Sequence, residues 1–236
     1  MEAILKPKLH RITEERAGRL LERFLASKPS AADVVDGYGT TALMIASQDG
    51  WTAGVRLLLE AGANTNARNL TGYTPLHSAV DRDSNADVIC ILVKAGANIN
   101  ARGHEGRTAL IEATCHHSGS NIRELIRLKA DVNMTDEGRD TALMYAASGG
   151  DLFAINKLLV AGAKVNLIGR GGQTALMWAV CAARVNPQAS LKAVHRLLDA
   201  GADPKIKSTK GYDALTLAES IPAPRISALI RQQRKK

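Results

Sequence analysis

Apolar and polar residues follow a pattern of two short helical stretches, and the pattern recurs along most of the chain. In Thr141-Ala142-Leu143-Met144-Tyr145-Ala146 a leucine and an alanine lie three residues apart, a spacing that puts them on one helix face. A second apolar stretch follows and closes with Leu158-Leu159-Val160-Ala161-Gly162, where glycine suits a left-handed helix stop. With the threonine as anchor, copies begin at Thr41, Thr74, Thr108, Thr141 and Thr174, and Asp213 anchors the last. The intervals are 33, 34, 33, 33 and 39 residues. Leucine stands two residues after every anchor and alanine five after it, which predicts a leucine core and close approach of neighbouring units at alanine.

The anchor hydroxyl or carboxylate can accept a bond from a free N–H of the first helical turn. The second helix carries Leu58-Leu59, Leu92-Val93, Leu125-Ile126, Leu158-Leu159 or Leu197-Leu198, and stops at Gly62, Gly96, Lys129, Gly162 or Gly201. Each stop lies 12 residues before the next anchor, so the extra residues of the 34- and 39-residue copies fall between the two helices. The longer insertion includes Arg184-Val185-Asn186-Pro187-Gln188. A short finger precedes each anchor and ends in Gly39, Gly72, Gly106, Gly172 or Gly211. In the fourth copy Gly138 is displaced by one and Arg139 takes the usual place, which predicts a distorted finger. Before the first copy, residues 12–27 read as a helix with Ile12, Leu20, Leu21, Phe24 and Leu25 on one side, ended by Lys28-Pro29-Ser30. After the last, Pro222 and Pro224 shorten the unit, and residues 231–236 are expected to fray.

A period of 33 residues with Thr74-Pro75-Leu76-His77-Ser78-Ala79 resembles the ankyrin-repeat family over nearly the whole chain. The resemblance implies an all-α-dominated solenoid of stacked helix-turn-helix units with short β-turn fingers and helical caps. Residues 1–35 then form the N-terminal helical cap, 36–207 hold five repeats starting near 36, 69, 103, 136 and 169, and 208–236 form a sixth, capping repeat with a basic tail. In the family the histidine of this motif helps tie repeats together, but only His77 keeps it. Met44, Ile111, Met144, Met177 and Thr216 stand in the other copies, so no polar network is expected along the stack.

Composition narrows the functional classes. An apolar content of 45% with only 3% aromatics suits thin layers of Leu, Ala, Val and Ile. Three cysteines in separate copies, with no C-x-x-C, fit a reduced, cytoplasmic protein. The N-terminus lacks the apolar run of a secretory signal, and no stretch reaches the roughly 18 apolar residues of a membrane span. The net charge of +8 resides at the ends: residues 1–30 hold seven Lys/Arg against four Asp/Glu, and 203–236 hold eight against three. The neutral middle offers no continuous basic stripe, which argues against a nucleic acid partner.

Cys115-His116-His117 with Glu112 contains metal-ligand types, but adjacent helical residues diverge and no second cluster at zinc spacing accompanies them. Gly169-Arg170-Gly171-Gly172 lacks a P-loop lysine, and no catalytic motif is present, so no enzyme, cofactor or metal site is expected. Position four after the anchor, which the resemblance places on the inner-helix surface, is Glu112, Tyr145 and Trp178 in three successive copies. Tyr73, Arg107, Asp140, Gln173 and Tyr212 immediately precede anchors, at the finger bases. Tyr, Trp and Arg are enriched at binding hot spots. The expected function is recognition of another protein through the concave face, by a monomer acting as an adaptor. The alternative is an inhibitor that occludes an enzyme or toxin.

Overall fold

In the computed structural model, which describes residues 14–27 and 32–234, the first helix is α1 (Glu14–Ser27). Five inner and outer helix pairs follow: α2 (Ala42–Gln48) with α3 (Thr52–Glu60), α4 (Pro75–Val80) with α5 (Ala86–Lys94), α6 (Ala109–Cys115) with α7 (Gly119–Arg127), α8 (Ala142–Gly149) with α9 (Leu152–Val160), and α10 (Ala175–Cys181) with α11 (Pro187–Asp199). A last pair, α12 (Ala214–Ser220) and α13 (Pro224–Gln233), closes the stack. Inner helices pack on inner, outer on outer, and α1 lies against α3 as an outer helix would. Among the described residues the fingers contain no strand, only the isolated bridges Val35–Thr41 and Thr135–Thr141.

The anchors cap the inner helices: Thr41, Thr108, Thr141, Thr174 and Asp213 each accept from the N–H three residues on. Leu43, Leu76, Leu110, Leu143 and Leu176 are fully buried, and so are the paired alanines. Leu215 departs from this and is half-buried, because no further pair covers the last unit. On the outer helices the first aliphatic of each pair enters the core, while the second is half-buried in all but the last, Leu198. The fifth unit, six residues longer than 33, accommodates the excess with the 3₁₀ turn Ala182–Arg184 and an outer helix of 13 residues, against 9 in the four preceding units.

Several expectations are corrected. The fourth finger is undistorted: Asp136 N–H donates to Asp140 C=O at 3.0 Å and Arg139 N–H to Asp136 C=O at 3.0 Å, as Asp36, Thr40 and Gly39 do in the first. Arg139 adopts the left-handed conformation itself, with φ 67°. The Arg170 guanidinium from the next finger lies beside Gly138, and its exposed end could move aside for a Cβ there. Leu20 is 46% exposed, so the buried side of α1 rests on Leu21 and Leu25, and Ile12 and Lys28-Pro29-Ser30 lie outside the described residues. The chain is helical to Gln233, with Arg231 paired to Glu219 and Arg234 to Asp213.

The largest correction concerns polar bonding along the stack. The residue eight before each of the five threonine anchors accepts a hydrogen bond from a backbone N–H of the following unit. Asp33 bonds Asn64, Asn66 bonds Asn98, Asn100 bonds Asp131, Asn133 bonds Lys164 and Asn166 bonds Asp203, at 2.8–2.9 Å. Asn66, Asn133 and Asn166 also donate to the C=O of the next helix stop, at Gly96, Gly162 and Gly201. A polar ladder therefore does run the length of the array, at the helix stops and not at the histidine position.

Two stability changes are expected. Lys129 sits at its stop with φ 69°, where a side chain is strained, so Lys129→Gly should stabilise the fold by up to about 1 kcal/mol in equilibrium denaturation. Asn133→Ala removes both bonds of one rung and should cost about 1 kcal/mol, read as a lower urea midpoint.

Candidate functional site

The inner helices present the position four after each anchor on their open side. Ile45, Ser78, Tyr145, Trp178 and Leu217 are half-buried there, while Glu112 is only 5% exposed. The finger bases supply the adjoining residues, and a connected set of contacts spans four units. Tyr73 Oη donates to Glu112 Oε1 at 2.7 Å, Arg107 Nη1 lies 3.9 Å from Glu112 Oε2, and Arg107 Nη2 pairs with Glu105 at 2.7 Å. The Arg107 guanidinium covers the Tyr145 ring at 5.4 Å, and Tyr145 meets Trp178 edge to face with centroids 5.6 Å apart. The sequence-predicted residues Tyr73, Arg107, Glu112, Tyr145 and Trp178 are thus one cluster.

The remaining three sit differently. Asp140 is 1% exposed and bonded inward: its Oδ1 accepts from Arg170 N–H at 2.8 Å, and its Oδ2, 3.6 Å from Arg170 Nε, has no hydrogen-bond partner among the described residues. It is a structural carboxylate and not part of an accessible rim. Burial pushes its carboxyl above the usual range, and the Arg170 contacts offset this only in part. Gln173 is half-buried and Tyr212 is 47% exposed, and neither makes a side-chain hydrogen bond among the described residues.

Sequence reasoning missed Asp136. Its Oδ1 accepts from Asp140 N–H at 2.9 Å, and its Oδ2 from the Tyr145 hydroxyl at 2.7 Å. One buried carboxylate therefore shapes the fourth finger and fixes the ring of the central aromatic. The available signal was that Asp36 and Asn69 hold the same finger position, a place for side chains that bond the turn. Burial, followed by the acceptor at Asp136, raises the Tyr145 hydroxyl well above the ordinary phenol value, and burial with Glu112 does the same for Tyr73. Both rings stay neutral donors. The Trp178 indole N–H is buried without a partner among the described residues.

Only Cys115 of Cys115-His116-His117 is helical: the helix ends there, and His117 has a left-handed backbone, with φ 54°. His116 approaches Asp81 at 3.9 Å and Glu112 at 4.0 Å, while His117 approaches Asp151 at 3.5 Å. Burial pushes the Cys115 thiol up to about 11, which disfavours the thiolate a metal would need. No group of three or more metal-ligand side chains is assembled among the described residues.

His77 braces the cluster from below. Its Nδ1 accepts from Thr74 N–H at 3.3 Å, its Nε2 bonds the Arg107 carbonyl at 3.0 Å, and its ring stacks on Tyr73 at 5.3 Å. It ties the second unit to the third.

A family model described as ankyrin repeats matches residues 9–103 and 110–208, in three copies. An ankyrin repeat protein of Rickettsia bellii (strain RML369-C) is 55% identical over 40 residues, a stretch that covers 17% of this chain and 17% of that protein. Among solved structures, the ankyrin repeat domain of Bcl-3, a member of the IkappaB protein family, superposes with TM-score 0.78 at 26% identity, covering 93% of each chain. An ankyrin repeat domain from Acinetobacter baumannii AYE gives TM-score 0.74 at 26% identity, covering 81% of this chain and 97% of that one.

Burial holds the His77 pKa below the ordinary histidine value. The unfolded chain therefore takes up this proton at a higher pH than the folded chain. The stability due to the neutral ring is complete above the ordinary value and is lost as pH falls through the lowered one. Denaturation at about pH 7.5 and about pH 5.5 should show a larger loss for the wild type than for His77→Gln, which cannot titrate.

Proposed function

The chain belongs to the ankyrin-repeat family, and from that premise we propose that it is a protein-binding module or adaptor that recognises its partner on the concave side of repeats four and five. Ankyrin repeats generally mediate protein–protein interaction. The observation that carries the finer reading is the Tyr145–Trp178 edge-to-face pair with Arg107 stacked on it, a half-buried aromatic and arginine cluster of the kind that dominates binding energy. The cluster is held in place before any partner arrives, by Asp136 on the Tyr145 hydroxyl and by Glu105 and Glu112 on Arg107. Little side-chain ordering is then left to oppose binding. Tyr73 and Glu112 adjoin the cluster on one side and Gln173 on the other, with Tyr212 one unit further on.

An inhibitor would use the same surface, and differs from an adaptor only in what its partner loses on binding. A nucleic acid partner is disfavoured by the neutral middle and by the C-terminal cations, of which Arg231 and Arg234 are already paired. We assign the protein no catalytic role and no cofactor, and place it in the cytoplasm as a monomer. No helix among the described residues is long and apolar enough to cross a membrane.

Trp178→Ala should weaken binding of a captured partner by about 2 kcal/mol or more, whereas a purely packing tryptophan would cost a similar amount of stability and no specific affinity. Circular dichroism and denaturation are measured beside affinity. If Tyr145→Ala and Trp178→Ala both stay folded and keep full affinity, the partner docks elsewhere.

A further inference from the structure

Two breaks in the repeat pattern that the concave surface does not use meet in space. The insertion of the fifth unit brings Pro187 and Leu191 to one wall of a groove, and the proline pair that shortens the sixth brings Pro222, Pro224 and Ile226 to the other. The space between them is about 290 Å³. It lies on the edge of the stack opposite the fingers, because α11 and α13 both begin there. Val185, two residues before Pro187 and 91% exposed, extends the apolar surface beyond the groove.

The unpaired charge around the groove is positive, because Glu219, three residues before Pro222, is bound to Arg231. Arg225 lines it, and Arg184 and Lys192 flank its α11 wall along the chain. All three are exposed, and none forms an ion pair or side-chain hydrogen bond among the described residues. No Asp or Glu occurs between residues 181 and 198, or after residue 219. The positive ends of two helices add to the same field. Apolar walls select a hydrophobic side chain, and the unneutralised cations select carboxylates beside it.

We propose that this groove is a second docking site, taking a short acidic segment of a partner protein whose central aliphatic or aromatic side chain enters between α11 and α13. The site is independent of the concave cluster and holds whether or not that cluster binds a partner.

The test is an NMR titration of the full-length ¹⁵N-labelled protein with a synthetic peptide carrying a Leu-Phe pair flanked by three glutamates on each side. Saturable shifts are expected at the amides of Leu191, Ala223 and Ile226. Affinity should fall about tenfold when the glutamates are replaced by glutamine, and about tenfold in Arg225→Glu, with added salt weakening the wild-type complex. Arg225 is exposed and unpaired, so the variant should keep the wild-type unfolding midpoint. The proposal is overturned by an absence of shifts, by shifts indifferent to Arg225→Glu, or by shifts centred on Tyr145 and Trp178. It is equally overturned if anionic phospholipid vesicles perturb the groove amides and the peptide does not.

Discussion

No helix pair in this protein can hold itself together, and every other feature answers to that constraint. Inner helices of six to eight residues and outer helices of mostly nine are too short to persist alone, and one pair encloses almost no core. Each unit is therefore stable only through its junctions, which must be dry and in register. Alanine five after the anchor lets neighbouring inner helices touch, and leucine two after it fills the space behind. The residue eight before each threonine anchor then fixes the offset between units, because its oxygen reaches one backbone N–H of the next unit at five successive junctions, from Asp33 to Asp203. Apolar contact is tolerant of small slides, and a hydrogen bond of 2.8 Å is not.

Features confined to one unit were legible in the sequence. The threonine caps, the leucine and alanine faces and the glycine stops each follow from local spacing, and even Lys129 could be recognised as a residue in a glycine's place. What depends on the neighbouring unit was not legible. The partners of Asn66, Asn133 and Asn166 lie some 30 residues away, so nothing within one unit reveals the ladder these side chains carry. Gly138 misled for a related reason. The Arg170 guanidinium of the next finger lies beside it, a neighbour that the spacing of glycines along the chain does not reveal.

The candidate site divides in the same way. The alignment of Tyr145 and Trp178 in adjacent units follows from register, so their meeting was visible in advance. That Asp140 is buried and turned toward Arg170 was not, because its place at a finger base is shared with Tyr73 and Arg107, which do join the cluster. Equivalent positions share a backbone geometry, and each side chain's direction is settled by the finger that follows. Gly103 and Gly169 make this concrete. Tyr73 and His77 fill the space beside the first, and Asp140 and Met144 the space beside the second, so the preceding unit reaches into the next finger at each.

A linear array also explains how binding surfaces can be built without endangering the fold. Each unit touches only its neighbours, so a departure in one unit is absorbed at two junctions and is not felt further along. Asp136 shows the limit of this freedom. Its carboxylate closes the turn of the fourth finger with one oxygen and orients Tyr145 with the other, so finger shape and aromatic placement cannot be altered separately there. The insertion before α11 has no such double duty. Its residues leave the stop-to-anchor distance at 12, the ladder passes from Asn166 to Asp203 unchanged, and the added turn projects from the edge. The concave cluster is thus constrained by the stack it sits on, while the C-terminal edge can change shape without disturbing the junctions.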